Sequence, residues 1–330
     1  MELKDRTISP ATVVLTVLLW LELAIPALAN PEVWAMQGWR TDFSKSSVDF
    51  TEILSGGPPK DGIPSIDDPE FRPASTIGTI GGKEPVIRLE VEGEVRAYPL
   101  QVLTWHEIAN DVIGGVPVAV TYCPLCNAAL VFDRRLDGEV LEFGTTGKLR
   151  NSDLVMYDRQ TESWWQQFTG EAIVGEYTGE RLKLLPSRIV SFEAFLAESP
   201  DAPVLVPNDP NMRDYGRNPY ASYDSSAAPF LYSGDLPDNI AAMARVVVVR
   251  GDGQPLIVSL DKVRRDGFSA GGIEIAYQSG VASALDARRI AEGRDVGTVQ
   301  VTRDGRDVVH DITFAFVAHA FHPDVPIITD

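Results

Sequence analysis

Cys123-Pro124-Leu125-Cys126 carries the clearest chemical signal in the sequence, which contains no other cysteine. Three chemistries fit the spacing. A structural disulfide would close a loop over only Pro124 and Leu125. Cross-links stabilise more as the loop they close lengthens, so this one would contribute little. A redox dithiol is the second. Paired thiols stabilise a thiolate and resolve a mixed disulfide quickly, and Pro124 stiffens the pair. The third is a metal clamp. Two thiolates suit Cu(I) or Zn(II), but zinc takes four ligands, so histidine would have to complete the set.

Four histidines are present. His106, in Trp105-His106-Glu107, lies on a predicted helix directly before the strand that leads to Cys123. Asn110 stands where a second zinc-binding histidine would be needed, which excludes the H-E-x-x-H metalloprotease pattern. His319 and His322 would share one face of a helix, and His310 has no sequence partner. In Gly147-Lys148-Leu149-Arg150-Asn151-Ser152-Asp153, a cation near Cys123 would favour its thiolate. The leading expectation is therefore a redox pair in which Cys123 attacks, Cys126 resolves, and His106 and Arg150 tune the thiolate. Its partner would be a redox protein or a small molecule. The alternative is a copper or zinc site built from Cys123, Cys126 and His106. Glu107, Asn127, Asn151, Asp153 and Trp165 are further cleft candidates. A third reading is a non-enzymatic binding module with Trp164, Trp165 and the 200–237 loop as its contact surface.

Two other patterns fail. Gly267-Phe268-Ser269-Ala270-Gly271 fits G-x-S-x-G, but a nucleophile elbow needs an apolar strand before it and a helix after it. Here Arg264-Arg265-Asp266 precede and a strand follows. Gly144-Thr145-Thr146-Gly147-Lys148 is too short for a phosphate-binding loop.

The elements that must position these residues are mostly short strands. Val86–Val91 alternates, Glu92-Gly93 turns the chain, and Glu94–Tyr98 returns. Pro99 to Asn110 reads as a helix with proline in its first turn. After Gly114-Gly115, strands are predicted over 116–122, 128–133, 140–144, 154–158, 172–177 and 181–185, with a short helix over 191–197. Dense Gly, Pro and Asp make residues 30–84 an irregular arm, and Pro, Asn, Asp and Tyr make 200–240 a connecting loop.

The two halves resemble each other. Gly114-Gly115 matches Gly271-Gly272, and Tyr122–Leu130 lines up with Tyr277–Leu285, where Gln278 and Val281 replace the cysteines. Ser191–Phe195 echoes Thr313–Phe316. The fold class expected is α+β, mainly β: two related β-rich lobes from an internal repeat, at 85–199 and 241–330, with short helices and long loops. Absence of the cysteines from the second copy argues that they serve chemistry more than architecture.

Residues 1–29 read as an export signal: Lys4 and Arg6, an apolar run from Ala11 to Leu21, then Ala27-Leu28-Ala29 before the expected cleavage. The run is too short to span a bilayer, which takes about 20 residues, and no later stretch is long and apolar enough. An exported, periplasmic or extracellular protein is expected. The 330 residues carry a formal charge of −18, which repels phosphate backbones and argues against nucleic acid as a partner.

Tyr98-Pro99-Leu100, Trp105-His106-Glu107-Ile108, Thr121–Asn127, Leu149–Asp153 and Trp165-Gln166-Gln167 together closely resemble a bacterial family, domain of unknown function 3179. Tyr215–Tyr220 and Phe321-His322-Pro323-Asp324 are similar to it too. Some members are labelled selenoproteins. The resemblance thus implies redox chemistry, since selenium in place of a thiol serves turnover better than structure. The chain departs from the family pattern in its second half, where residues 301–324 are abbreviated.

Overall fold

The computed structural model describes residues 30–251 and 253–330; the expected export signal lies outside them. Among the described residues, five sheets of four or five strands form a five-bladed β-propeller. This corrects the expectation of two lobes, while the β-rich character holds.

Blade 1 takes its edge strand Ile53–Ser55 from the N-terminal arm, followed by Phe143–Arg150, Asp153–Asp158, Trp164–Gln166 and Glu171–Val174. Blade 2 is built on the hairpin Pro85–Val91 and Glu94–Pro99, flanked by Ser187–Ser191, Pro203–Val206 and Glu70–Pro73. Blade 3 contains Ile108–Ile113, Val116–Cys123, Ala128–Asp133 and Lys183–Leu185. Blade 4 contains His310–Phe314, Arg245–Val249, Leu256–Ser259 and Ile327–Ile328; blade 5 contains Phe268–Ala270, Ile273–Gln278, Thr298–Arg303 and Arg306–Asp307. The arm is therefore partly ordered as the edge strands Ile53–Ser55 and Glu70–Pro73, and the 200–240 segment supplies an interior strand of blade 2, Pro203–Val206. Short helices connect or cap the blades: α1 (Pro31–Met36), α2 (Leu100–His106), α3 (Phe192–Glu198), α4 (Leu260–Asp266) and α5 (Ala315–Phe321).

The likeness between the halves belongs to blades. A hairpin, a seven-residue helix and a second hairpin occur in blades 2 and 3 and again in blades 4 and 5. Blade 1 has no counterpart in the second half. Both double glycines are two-residue hairpin turns with positive φ at each position, 56° and 75° at Gly114-Gly115, 58° and 77° at Gly271-Gly272. Such turns match the twist of the paired strands, and glycine adopts them without strain. The helix expected over 99–110 stops at His106, because Ile108–Ile113 is β-branched enough to pair with Val116–Thr121 instead.

The largest apolar cluster draws on blades 1, 3 and 4: Phe143, Leu154, Met156, Trp165 and Phe168 meet Cys123, Cys126, Leu130 and Phe132 on one side and Val246, Val248 and Phe314 on the other. The thiols are thus part of an inter-blade core. G-x-S-x-G occupies the start of a blade 5 strand after α4, the reverse of a nucleophile elbow.

Candidate functional site

Cys123 ends its strand opposite Ala128, and residues 124–127 make the tight turn between them. Two backbone bonds close it, Cys126 N–H to the Cys123 carbonyl and Asn127 N–H to the Pro124 carbonyl. Blade 4 holds the turn from outside. The Cys126 carbonyl accepts from Thr313 Oγ1 at 2.8 Å and from the Phe314 N–H, and Asn127 Nδ2 donates to the Ile312 carbonyl at 2.9 Å.

Blade 1 supplies the other wall. Arg150 pairs with Asp153 across the two-residue turn Asn151-Ser152, at φ 53° and 64°. Both sulfurs point at the Ser152 carbonyl, 3.9 Å from Cys123 Sγ and 3.5 Å from Cys126 Sγ. Asp153 follows immediately. Its Oδ2 accepts from Gln166 Nε2 at 2.6 Å and the Phe168 N–H at 2.8 Å, while Oδ1 accepts no N–H or O–H bond. The two Sγ atoms and an Asp153 oxygen lie within 4.8 Å of one another, all buried. Among the described residues, no other trio of metal-ligating groups gathers so closely.

Glu107 completes the acidic surroundings. It caps α2 with φ 59°, a conformation unfavourable to a non-glycine side chain. Buried, and facing the Asp153 charge, its carboxyl is pushed up to about 8. Burial likewise raises Asp153 to about 6, against the pull of its hydrogen bonds. Burial also raises both thiols, and Asp153 raises them further. The closeness of the two sulfurs favours the Cys123 thiolate and disfavours that of Cys126, so Cys123 is the easier to ionise. The thiols are unbridged and essentially inaccessible, Cys123 at 2% and Cys126 at 0%.

The 200–240 segment covers the turn. Tyr223 Oη donates to the Leu125 carbonyl at 3.1 Å, and Ser152 Oγ donates to the Phe230 carbonyl at 2.6 Å.

Several sequence-selected residues lie elsewhere. Both His106 ring nitrogens are engaged away from the sulfurs, with the Pro64 carbonyl and the Tyr215 hydroxyl, each at 2.8 Å. Arg150 pairs with Glu52 and reaches the site only through Gln166, 3.3 Å away. Among the described residues, no cation stabilises a thiolate here; the charges acting on the sulfurs are the Asp153 and Glu107 carboxylates. Trp164 and Trp165 are fully buried, Trp165 donating to Asp158 at 2.9 Å and Trp164 packing under Trp34, Trp39 and Phe43, so neither offers a contact surface. Among the described residues, His319 and His322 join no ligand cluster; His322 lies beside Phe168, where burial lowers it to about 4. Sequence reasoning missed Phe168 and Tyr223 because nothing in their spacing ties them to Cys123, and Gln166 entered only through the Trp165-Gln166-Gln167 motif. Asp153 stood in a local polar run, which marked it as a candidate without marking it as a ligand.

A family profile described as Protein of unknown function (DUF3179) matches residues 60–325. The chain belongs to this family. No curated protein and no solved structure matches it. The matched span includes Glu107, Cys123, Cys126, Asp153 and the covering segment through Phe230.

Proposed function

We propose that this DUF3179 chain is an exported metal-binding protein whose ion is held by Cys123, Cys126 and Asp153. The observation that carries this reading is the convergence of two sulfurs and one carboxylate oxygen within 4.8 Å in a buried place. A tetrahedral zinc with bonds of about 2.0–2.3 Å needs its ligand atoms somewhat under 4 Å apart, so modest side-chain adjustment would seat it. Electrostatics favour the same reading. Three groups that become anions on binding, with Glu107 beside them, face no compensating cation among the described residues, so a divalent ion would supply the missing charge. Mixed sulfur and oxygen donors suit Zn(II) better than Cu(I), which favours sulfur alone. Three protein ligands leave a fourth position for water or another ligand. The export assignment rests on the basic, apolar, small-residue order of residues 1–29.

The second reading is thiol–disulfide exchange. It is favoured by two adjacent unbridged thiols beside Asp153, a carboxyl at about 6 that can take a proton from sulfur. Burial and the raised thiols weigh against it, since reactive cysteines sit in accessible, electropositive surroundings.

Metal analysis of protein purified under reducing conditions and loaded with Zn(II) tests both. Stoichiometric zinc is expected, retained in His106→Ala and weakened at least about tenfold in Cys126→Ser and Asp153→Ala. Substoichiometric zinc, or zinc unaffected by Cys126→Ser, overturns the proposal. If such metal-free protein converts between dithiol and disulfide within roughly −300 to −120 mV, the redox reading replaces it.

A further inference from the structure

A pocket of about 270 Å³ opens between α2, the 77–80 segment and the stretch from Leu205 to Tyr215, away from the thiols. Ile77, Ile80, Val102 and Leu205 give it apolar walls, and Thr79, Gln101, Arg213, Asp214 and Tyr215 are the polar residues on its lining. Its volume lies just under the range of about 300–1,000 Å³ usual for drug-sized ligands, so it suits something smaller.

The polar groups have fixed characters. A carbonyl only accepts, so His106 Nδ1 must carry the proton it shares with Pro64. Burial lowers the ring's basicity, which leaves Nε2 as a bare acceptor. Tyr215 therefore donates its single hydroxyl proton to Nε2 at 2.8 Å, and its oxygen keeps only lone pairs for any further partner. Arg213 lies over the Trp105 ring, 6.0 Å from its centroid, and makes no salt bridge among the described residues, although the chain is strongly acidic. The neighbouring Asp214 turns to Arg217 instead, at 4.0 Å. The loop bearing these groups is pinned: the Gly216 carbonyl accepts from the Ile290 N–H at 3.0 Å, and the Asn218 N–H donates to the Arg288 carbonyl at 2.8 Å. At Gly216, with φ 85°, a Cβ would press on Gln101 Oε1, so the loop closes tightly on the pocket wall.

We infer that this pocket binds a small carboxylic acid that carries an adjacent hydrogen-bond donor and a short apolar side chain, an amino or hydroxy acid. Arg213 takes the carboxylate, the Tyr215 oxygen accepts from the amine or hydroxyl, and the apolar walls cover the side chain. Hydrogen bonds to ionised groups are the stronger ones, so Arg213 should dominate affinity.

Calorimetric titration of the full chain with four probes tests this: L-leucine, 2-hydroxy-4-methylpentanoate, leucinamide and 4-methylpentanoate. Either or both of the first two should bind in the millimolar range or tighter, with the amine and the hydroxyl as the alternatives. Leucinamide, lacking the carboxylate, should bind at least about tenfold more weakly, as should the preferred acid to Arg213→Gln. Loss of the donor, in 4-methylpentanoate or through Tyr215→Phe, should weaken binding about three- to tenfold. Both substitutions lie on a half-exposed loop, and unchanged thermal unfolding shows that the variants fold. No binding of either acid at about 10 mM overturns the inference, as does equal affinity for leucinamide or for folded Arg213→Gln. Cys126→Ser should leave these titrations unchanged, so failure here and failure of the metal site are separate results.

Discussion

The segments Leu100–Cys123 and Leu260–Gln278 follow one plan and end differently. Each begins with a seven-residue helix, turns at a residue with positive φ, and runs through a double-glycine hairpin into a strand. At the helix end the second segment places Gly267, φ 67°, where glycine costs least. The first places Glu107 at φ 59° and buries its carboxyl beside Asp153. The first strand ends in Cys123 and a tight turn to Ala128. The second ends in Gln278, and its next strand starts only at Thr298. A strained, desolvated glutamate thus sits in the segment that also carries the thiols, and a glycine holds the matching position in the one that lacks them.

Substituting the paired turns gives the largest contrast. In Gly114→Ala the new Cβ would meet the Val91 carbonyl oxygen, whereas at Gly271 nothing lies within 4 Å. Both pay for positive φ, so Gly271→Ala should cost about 1 kcal/mol and Gly114→Ala about 3 kcal/mol or more in urea unfolding. Equal losses would mean that the first hairpin is no more closely packed than the second.

The acid–base behaviour of Glu107 sharpens the comparison at the site. Its folded value of about 8 lies above the ordinary 4.5, so between those values the folded state binds the extra proton. Stability of the metal-free protein should therefore be greatest below this window and fall as pH rises through it, by up to about 1.4 kcal/mol per unit. Asp153, raised to about 6 from 3.8, acts in the same direction at lower pH. His106, His310 and His322, buried and held neutral, act oppositely, but only below about 6.5. Unfolding free energies from pH 6.5 to 8 isolate the glutamate: a downward slope in the native chain and a nearly flat line in Glu107→Gln. A slope that survives the substitution would place the titrating group elsewhere.

The smallest effect concerns the frame itself. Gly267 combines φ 67° with ψ −176°, a region essentially reserved for glycine, so Gly267→Ala should cost about 1–2 kcal/mol by thermal or urea unfolding without altering zinc retention. A change in zinc content would show that the two segments are coupled through the ring.

Much local structure was legible because short-range physics sets it. Glu92-Gly93 and Gly114-Gly115 announce hairpins, and the expected strand 128–133 is the observed Ala128–Asp133. Alternation cannot say how many sheets the strands make. The echo of one half in the other was read as two lobes, whereas the strands divide among five blades and edge strands arrive from as far away as Glu70 and Ile53. His106 was chosen for lying near the cysteines in sequence, yet it and Glu107 point to different places: one toward Tyr215, the other into the acidic site.

By itself the sequence determined where the chain turns, which strands are short and buried, and that two thiols share one tight turn. Those features depend on glycine dihedrals, side-chain alternation and covalent spacing, all local to a few residues. Only the tertiary structure decided that a carboxylate from another blade and, among the described residues, no imidazole or guanidinium stands beside the sulfurs. Asp153 reaches them because blades 1 and 3 pack a common apolar core, and that juxtaposition, 27 residues beyond Cys126, leaves no periodic trace in the chain.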